Sequence, residues 1–367
     1  MKPLTERVNT MDRKILNVLV VGFGRMGKRH AAAYEGLEIF NLVGICAREY
    51  QRSDAEADYP RAAFYLDAHT AIREASADIV CIATHIDSHE SLSRAAIDNG
   101  ADVFLEKPVA PTLAESAALL SYAREKGRKI LVGYVRKHDP LWKAFVDKGK
   151  ELGSPVVVRF LIDQPSTGDG WRVHQSILKN SSLTFDCAVH YVDMMANICG
   201  AKPVGVTGRA VRLHGDASLN GNYGFLGVEF ADGSVGSFDS AWGPMVGAKP
   251  SAVITATGPA GSVSIISVPG SKDDEKADRQ QLVYEPAMAD ECNTRDIEVI
   301  YDEQPERGSE NDAFILQQQC LYDCVTNDSP MDQHIADVLT SMLIVAAADE
   351  SIASGKMVEL QPADVKP

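Results

Sequence analysis

Paired cysteines, a long apolar run and an excess of positive charge are all missing from this chain of 367 residues. Its seven cysteines stand at 46, 81, 187, 199, 292, 320 and 324, an odd count with no CxxC spacing. Cys320 and Cys324 would share a helix face, but no His or Cys cluster adjoins them to complete a metal site. That usage fits reduced thiols in a reducing compartment. The apolar run Met342–Ala348 is far too short to span a bilayer. The first 14 residues, MKPLTERVNTMDRK, lack the apolar stretch of a secretory signal. These absences lead to the expectation of a cytoplasmic protein with no membrane partner.

Basic residues are outnumbered, 36 Lys and Arg against 51 Asp and Glu, for a net charge of −15. Acids crowd residues 273–310, which reads as a solvated surface. A phosphate backbone would repel such a chain, so no nucleic-acid partner is expected. What is present is an ordinary apolar content of 45%, enough for packed cores. The length suggests about two domains.

From 15 to 135 short apolar runs alternate with helical patterns. ILNVLVVG (15–22), FNLVGICA (40–47), FYL (64–66), DIVCIAT (78–84), ADVFLE (101–106) and KILVGY (129–134) read as strands. Helices are expected near 25–36, 51–58, 67–75, 87–99 and 111–127, the fourth ending at Asn99-Gly100. Such alternation implies βαβ units and a parallel sheet. After about 137 the rhythm changes. A helix over 138–150 and a strand over 154–162 precede an irregular segment, 163–180, and a helix over 182–199. Successive strands fill 203–301, clearest in the hairpin 222–242 with Asp232-Gly233 as its turn. Two helices, 311–326 and 332–354, follow. The expected organisation is a polar extension (1–14), a doubly wound Rossmann domain (15–137) and an α+β domain on an open, mostly antiparallel sheet (138–367).

Gly22-Phe23-Gly24-Arg25-Met26-Gly27 follows the first strand and opens the first helix, the context a dinucleotide-binding GxGxxG requires. Gly22 would form the tight turn, Gly24 admit a pyrophosphate and Gly27 let helix and strand pack closely. The helix start would offer N–H groups to the diphosphate. After the second strand comes Arg48-Glu49, where an NAD site ordinarily carries an acid. A guanidinium suits a 2′-phosphate, so NADP is expected in preference to NAD.

FLEKPVA (104–110) ends the fifth strand, where ligands of doubly wound sheets bind. A Rossmann GxGxxG, then Glu106-Lys107-Pro108, then an open-sheet domain resembles the glucose–fructose oxidoreductase / inositol dehydrogenase (Gfo/Idh/MocA) family. The likeness covers nearly the whole chain. ATHIDSHESL (83–92) resembles the family's T-P-x-x-x-H loop, with His85 in place of Pro after Thr84. GYVRKHDP (133–140) resembles its G-x-x-x-R-x-x-P run, and Asp186…His190…Asp193 its D-x-G-x-H-x-x-D helix, with Ala188 for Gly.

Chemistry in these residues agrees with that likeness. Oxidising a secondary alcohol needs a group to take the hydroxyl proton while hydride leaves carbon. An imidazole titrates in the right range, and an acid one helical turn away would orient it. A lysine at the sheet edge would stabilise developing alkoxide charge. The resemblance implies the trio Lys107, Asp186 and His190. It further implies cofactor contacts from Thr84, His85, His89 and Glu106, and substrate contacts from Tyr134, Arg136, Trp171 and Arg172. It also implies a cis Lys107–Pro108 bond. Asp193 reads as structural, with a substrate contact or a helix-surface salt bridge left open, and no metal is expected. The expected substrate is a sugar, cyclitol or related polyol, and the expected assembly a homodimer or homotetramer formed through the second sheet. An NAD-dependent glycosidase of the same family, a non-catalytic dinucleotide or sugar sensor and a reductase of non-sugar carbonyls remain alternatives.

Overall fold

Apolar strands that are buried on both faces dictate the first sheet. LNVLVV forms β1 (Leu16–Val21), and β2 (Phe40–Cys46), β3 (Ala63–Tyr65), β4 (Ile79–Ile82), β5 (Asp102–Leu105) and β6 (Ile130–Val132) join it. β4 and β5 expose no residue, the mark of parallel strands covered by helices on both sides. All neighbours run parallel, in the order β3-β2-β1-β4-β5-β6. This is the order of a dinucleotide-binding doubly wound fold. The connecting helices are α1 (Arg25–Glu35), α2 (Arg52–Asp58), α3 (Ala68–Glu74), α4 (His89–Asp98) and α5 (Leu113–Glu125). Asp67 caps α3 by accepting the Thr70 N–H at 2.8 Å.

The computed structural model describes residues 13–214, 221–247, 252–268, 279–288, 297–302 and 310–361. Cys292 and most of the acidic run at 273–310 lie outside them. Among the described residues, no helix is long and apolar enough to cross a membrane. The chain divides into two compact units. The first comprises residues up to Val109, Leu119–Gly133 and Phe314–Met331; the second comprises Ala110–Ala118, Tyr134–Ala313 and Asp332 onward. One boundary falls close to residue 137, but a single cut there would not separate the units, because α5 and α9 (Glu310–Thr326) each contribute to both.

The second unit carries a mostly antiparallel sheet. Its main path runs β15-β14-β13-β12-β7-β11-β10-β9-β16. The strands are β7 (Val157–Ile162), β8 (Gln164–Pro165), β9 (Pro203–Val211), β10 (Tyr223–Phe230), β11 (Val235–Gly243), β12 (Ala252–Gly258), β13 (Gly261–Val268), β14 (Arg279–Pro286), β15 (Glu298–Asp302) and β16 (Val358–Glu359). Parallel pairing occurs where β11 meets β7 and β8. The 222–242 hairpin forms as expected, β10 against β11 across a turn with Gly233 at φ +86°. Helices α6 (Pro140–Lys150), α8 (Val189–Cys199) and α10 (Asp332–Ser354) complete the unit's core. Asp139 caps α6, accepting the Leu141 and Trp142 N–H groups at 2.9 and 3.3 Å.

Two local expectations change. Residues 163–180 are not irregular: β8 and then a helix, α7 (Gly168–Asn180), occupy them. Glycines at 168 and 170 depress helix propensity at its start, but Trp171 and Leu178 bury one stripe that secures it. The helix expected over 182–199 begins instead with a π-helical turn, Thr184–Ala188, before α8.

Candidate active site

The glycine-rich turn lies in the first unit. Gly22 has φ +95°, and a side chain there would collide with the Ala83 carbonyl. A Cβ on Gly27 would run into the Gly22 carbonyl, so α1 starts pressed against the turn. Gly24 meets nothing within 4 Å, leaving open space beside the backbone. α1 has no side-chain cap and no acid in its first turn. Its free N–H groups and positive potential are therefore available to an anion, and these residues fit a diphosphate. Arg25 is exposed and Met26 half-buried. The Phe23 ring is buried edge-on to Tyr59 at 6.0 Å, and its carbonyl accepts from Gln51 Nε2 at 2.6 Å.

Beyond β2, Arg48 is exposed. The neighbouring acid is engaged: Glu49 takes two hydrogen bonds from Arg52, at 2.9 and 3.2 Å. Arg52 also pairs with Glu56 at 3.3 Å and lies 4.4 Å over the Phe64 ring. Beyond β4, Thr84 is half-buried and His85 exposed.

Glu106 and His89 serve the EKP segment from inside the unit. Glu106 Oε1 lies 2.7 Å from His30 Nε2, and its Oε2 accepts the Lys107 N–H at 3.1 Å. Gln318 Nε2 donates to His30 Nδ1 at 3.0 Å, which leaves the ring's Nε2–H for Glu106. Burial alone would raise the Glu106 carboxyl, but His30 and Lys107 outweigh it and hold the carboxyl below its ordinary value. His89 is 1% exposed, with Nδ1 2.8 Å from the Pro108 carbonyl and Nε2 3.2 Å from that of Thr84. Burial lowers its pKa. Both rings' polar atoms are thus turned inward. The Glu106 and His89 side chains brace the segment that presents Lys107. Lys107–Pro108 is cis, as expected, and Lys107 is half-buried.

Asp186 and His190 lie in the second unit. From Leu183 to Met195 every residue is buried except Asp186 and His190. The π turn supplies Asp186 and the first turn of α8 supplies His190. Asp193 is separated from them: it is 1% exposed, 3.6 Å from Lys137 Nζ. Burial pushes its carboxyl up to about 6, with Lys137 pulling down and Asp337 pushing further up.

Tyr134 is 1% exposed, its hydroxyl 2.9 Å from Ser341 Oγ, and its ring meets His190 edge-on at 5.8 Å. Because Ser341 donates to the Val338 carbonyl, Tyr134 donates to Ser341. Its side chain is buried and backs the His190 ring. Arg136 is half-buried and lies over the Trp142 and Tyr191 rings at 4.8 and 5.3 Å. On α7, Trp171 is buried beside His214 at 5.6 Å, whereas exposed Arg172 pairs with Asp169.

Several residues escape the sequence reading. His174 stacks on Trp242 at 4.2 Å, which requires α7 to exist. Asp349, on α10, accepts hydrogen bonds from Ser182 and Thr184 at 2.6 and 2.9 Å. No local signal links groups so distant in sequence.

Comparison with known proteins agrees with this architecture. Residues 16–134 match the family described as "Oxidoreductase family, NAD-binding Rossmann fold", and 142–263 the "GFO/IDH/MocA C-terminal domain". The chain is 25% identical over 240 residues to scyllo-inositol 2-dehydrogenase (NAD(+)) of Bacillus subtilis, covering 60% of this chain and 66% of that protein. It is 29% identical over 188 residues to inositol 2-dehydrogenase of Paracoccus denitrificans, covering 49% and 53% respectively. The match to inositol 2-dehydrogenase 1 of Saccharopolyspora erythraea is 33% over 156 residues, or 39% of this chain and 44% of that protein. The chain thus spans between under half and just short of two thirds of these curated relatives. In fold it resembles GenD2 from gentamicin A biosynthesis, solved with NAD (TM-score 0.76, 20% identity, covering 98% of this chain and 100% of that one). It likewise resembles the Lactobacillus casei scyllo-inositol dehydrogenase solved with NAD(H) and scyllo-inositol (TM-score 0.75, 18% identity, 94% and 99%). With both parts matched in order along the sequence, the chain belongs to the Gfo/Idh/MocA family of oxidoreductases.

Proposed function

We propose that this protein is a nicotinamide-dinucleotide-dependent dehydrogenase acting on a secondary alcohol of a cyclitol, sugar or related polyol. One observation carries the reading: in an otherwise buried segment, only an acid and an imidazole remain accessible, Asp186 and His190. Relatives named inositol 2-dehydrogenase support the substrate class. When bound, the dinucleotide supplies the hydride acceptor. The turn Gly22–Gly27, through its backbone, and the start of α1 would hold its diphosphate, with Thr84 and His85 beyond the carboxyl end of β4. His190 takes the hydroxyl proton in oxidation and returns it in reduction, Asp186 orients the imidazole, and Lys107 donates to the substrate oxygen. Trp171 and Arg172 are retained as substrate candidates on α7.

The cofactor we propose is NADP. Arg48 is exposed beyond β2, while Glu49, the acid that would otherwise serve a ribose, is held by Arg52. The alternative, NAD, is favoured by the names of the Bacillus subtilis relative and of the structures solved with that cofactor. The sheet of the second unit exposes Val211, Val253 and Ile266, which supports pairing of two copies. Sedimentation as a stable monomer at micromolar concentration would overturn that pairing.

The test is reduced-nicotinamide absorbance with NAD and NADP separately against inositols, sugars and sugar acids. We expect net reduction with at least one polyol, faster with NADP. Bond cleavage of a glycoside without net reduction would favour the glycosidase, and cofactor binding without turnover would favour a sensor.

A further inference from the structure

The turn that carries Asp186 is gripped from α10. Ser182 Oγ and Thr184 Oγ1 lie 2.8 Å apart, and both donate to Asp349 Oδ1, at 2.6 and 2.9 Å. Ser182 Oγ in turn accepts the Phe185 N–H at 2.8 Å. Each hydroxyl has one proton, so this assignment uses both on the carboxylate and leaves a Ser182 lone pair for the backbone. From the other side β10 presses close: a Cβ on Gly224 would stand 3.1 Å from Thr184 Cγ2 and 3.3 Å from Leu183 Cδ2. The π turn is therefore held between a glycine of the sheet and a carboxylate of the helix.

A π turn contains one residue more than an α turn and is kept only where something maintains it. Were this one to relax to α geometry, Asp186, which lies within the turn, would rotate relative to His190 by a large part of the roughly 100° step of one residue around a helix. A plain N-terminal cap would need Ser182 alone. The second hydroxyl and the shared distant carboxylate add a constraint on the turn itself.

We propose that Asp349 is a positioning residue, which through Ser182 and Thr184 holds the π turn and so fixes Asp186 against His190. The inference rests on the reading of that pair as the proton-transfer groups. It adds a residue distant in sequence from the reacting groups to the machinery that aligns them.

The experiment uses the full chain and the polyol that wild type oxidises fastest. Asp349→Ala, Asp349→Asn and the double variant Ser182→Ala/Thr184→Val are compared with Asp186→Asn. We expect Asp349→Ala and the double variant to lower kcat by about tenfold or more, with the cofactor KM unchanged, as misalignment of a reacting group does. Asp349→Asn, whose amide oxygen still accepts both hydroxyls, should recover most of the loss. Backbone amide exchange over Phe185–Ala188 should quicken in Asp349→Ala and the double variant and not in Asp349→Asn. If Asp186→Asn is crippled while Asp349→Ala and the double variant keep kcat within about twofold of wild type, the inference fails and the functional reading stands. If the losses merely follow the fraction of unfolded protein, with no rescue by Asn, the inference fails as well. Wild-type turnover in Asp186→Asn removes the underlying reading, and the inference with it.

Discussion

The two units hold their functional groups by different means. In the first, the backbone does the work: Gly22 and Gly27 permit contacts that a Cβ would forbid, and α1 begins uncapped with its N–H groups free. In the second, side chains do it: Tyr134 backs His190, and Asp349 holds the turn of Asp186 through two hydroxyls. A backbone site depends on a few adjacent residues and fails by steric collision. A side-chain site depends on partners far apart in sequence and fails by loss of alignment. Substitutions in the two units should therefore leave different kinetic signatures.

The largest expected effect lies in the second unit. His190→Ala should cut turnover by about 10²–10⁴-fold with little change in cofactor affinity, and steady-state kinetics will show whether the two properties separate. Next, Arg48→Glu should swing the ratio of kcat/KM for NADP over NAD by roughly 10–100-fold towards NAD, as expected for replacing a charge-assisted phosphate contact with a repulsive one. An unchanged ratio would remove Arg48 from cofactor choice. Gly27→Ala should cost about 1–3 kcal/mol of stability by overpacking and weaken dinucleotide binding while leaving kcat at saturating cofactor closer to wild type. Denaturant midpoints and fluorescence titration test both parts.

The smallest expected effect concerns Asp193. Its carboxyl is raised to about 6 by burial, against Lys137 and in the same sense as Asp337. The folded state thus binds this proton more tightly than the unfolded chain does. The stability it contributes is complete below the ordinary carboxyl range and fades as pH climbs through about 6. Asp193→Asn should flatten that slope, a difference on the order of 2 kcal/mol between mildly acidic and neutral pH. Parallel urea titrations of the two proteins would show it. Equal slopes would mean that Lys137 compensates the charge in full.

The same contrast explains what could be read from sequence. The parallel sheet, the glycine turn and the 222–242 hairpin announce themselves because each depends on residues a few positions apart. The accessibility of Asp186 and His190 was foreshadowed by their polar character in an apolar run, as was the separate standing of Asp193. The inward turn of the Tyr134, His89 and Glu106 side chains was not legible, since position beyond a strand or at a helix start does not reveal whether a side chain faces the core. α7 was missed because its glycines mask a stripe that only packing completes. Asp349 had no signal at all: its partners Ser182 and Thr184 lie 167 and 165 residues away.

One close approach in the second unit bears on re-engineering. A side chain on Gly208 of β9 would collide with the Ala348 carbonyl, and the Gly208 N–H donates to Ser351 Oγ at 2.8 Å. α10 is thereby locked in register on the strand at the residue preceding Asp349. A graft that replaces other segments of the second unit while keeping β9 and α10 as one cassette would preserve the datum from which the proposed proton-transfer pair, Asp186 and His190, is measured. A graft that imports α10 without Gly208 would shift it.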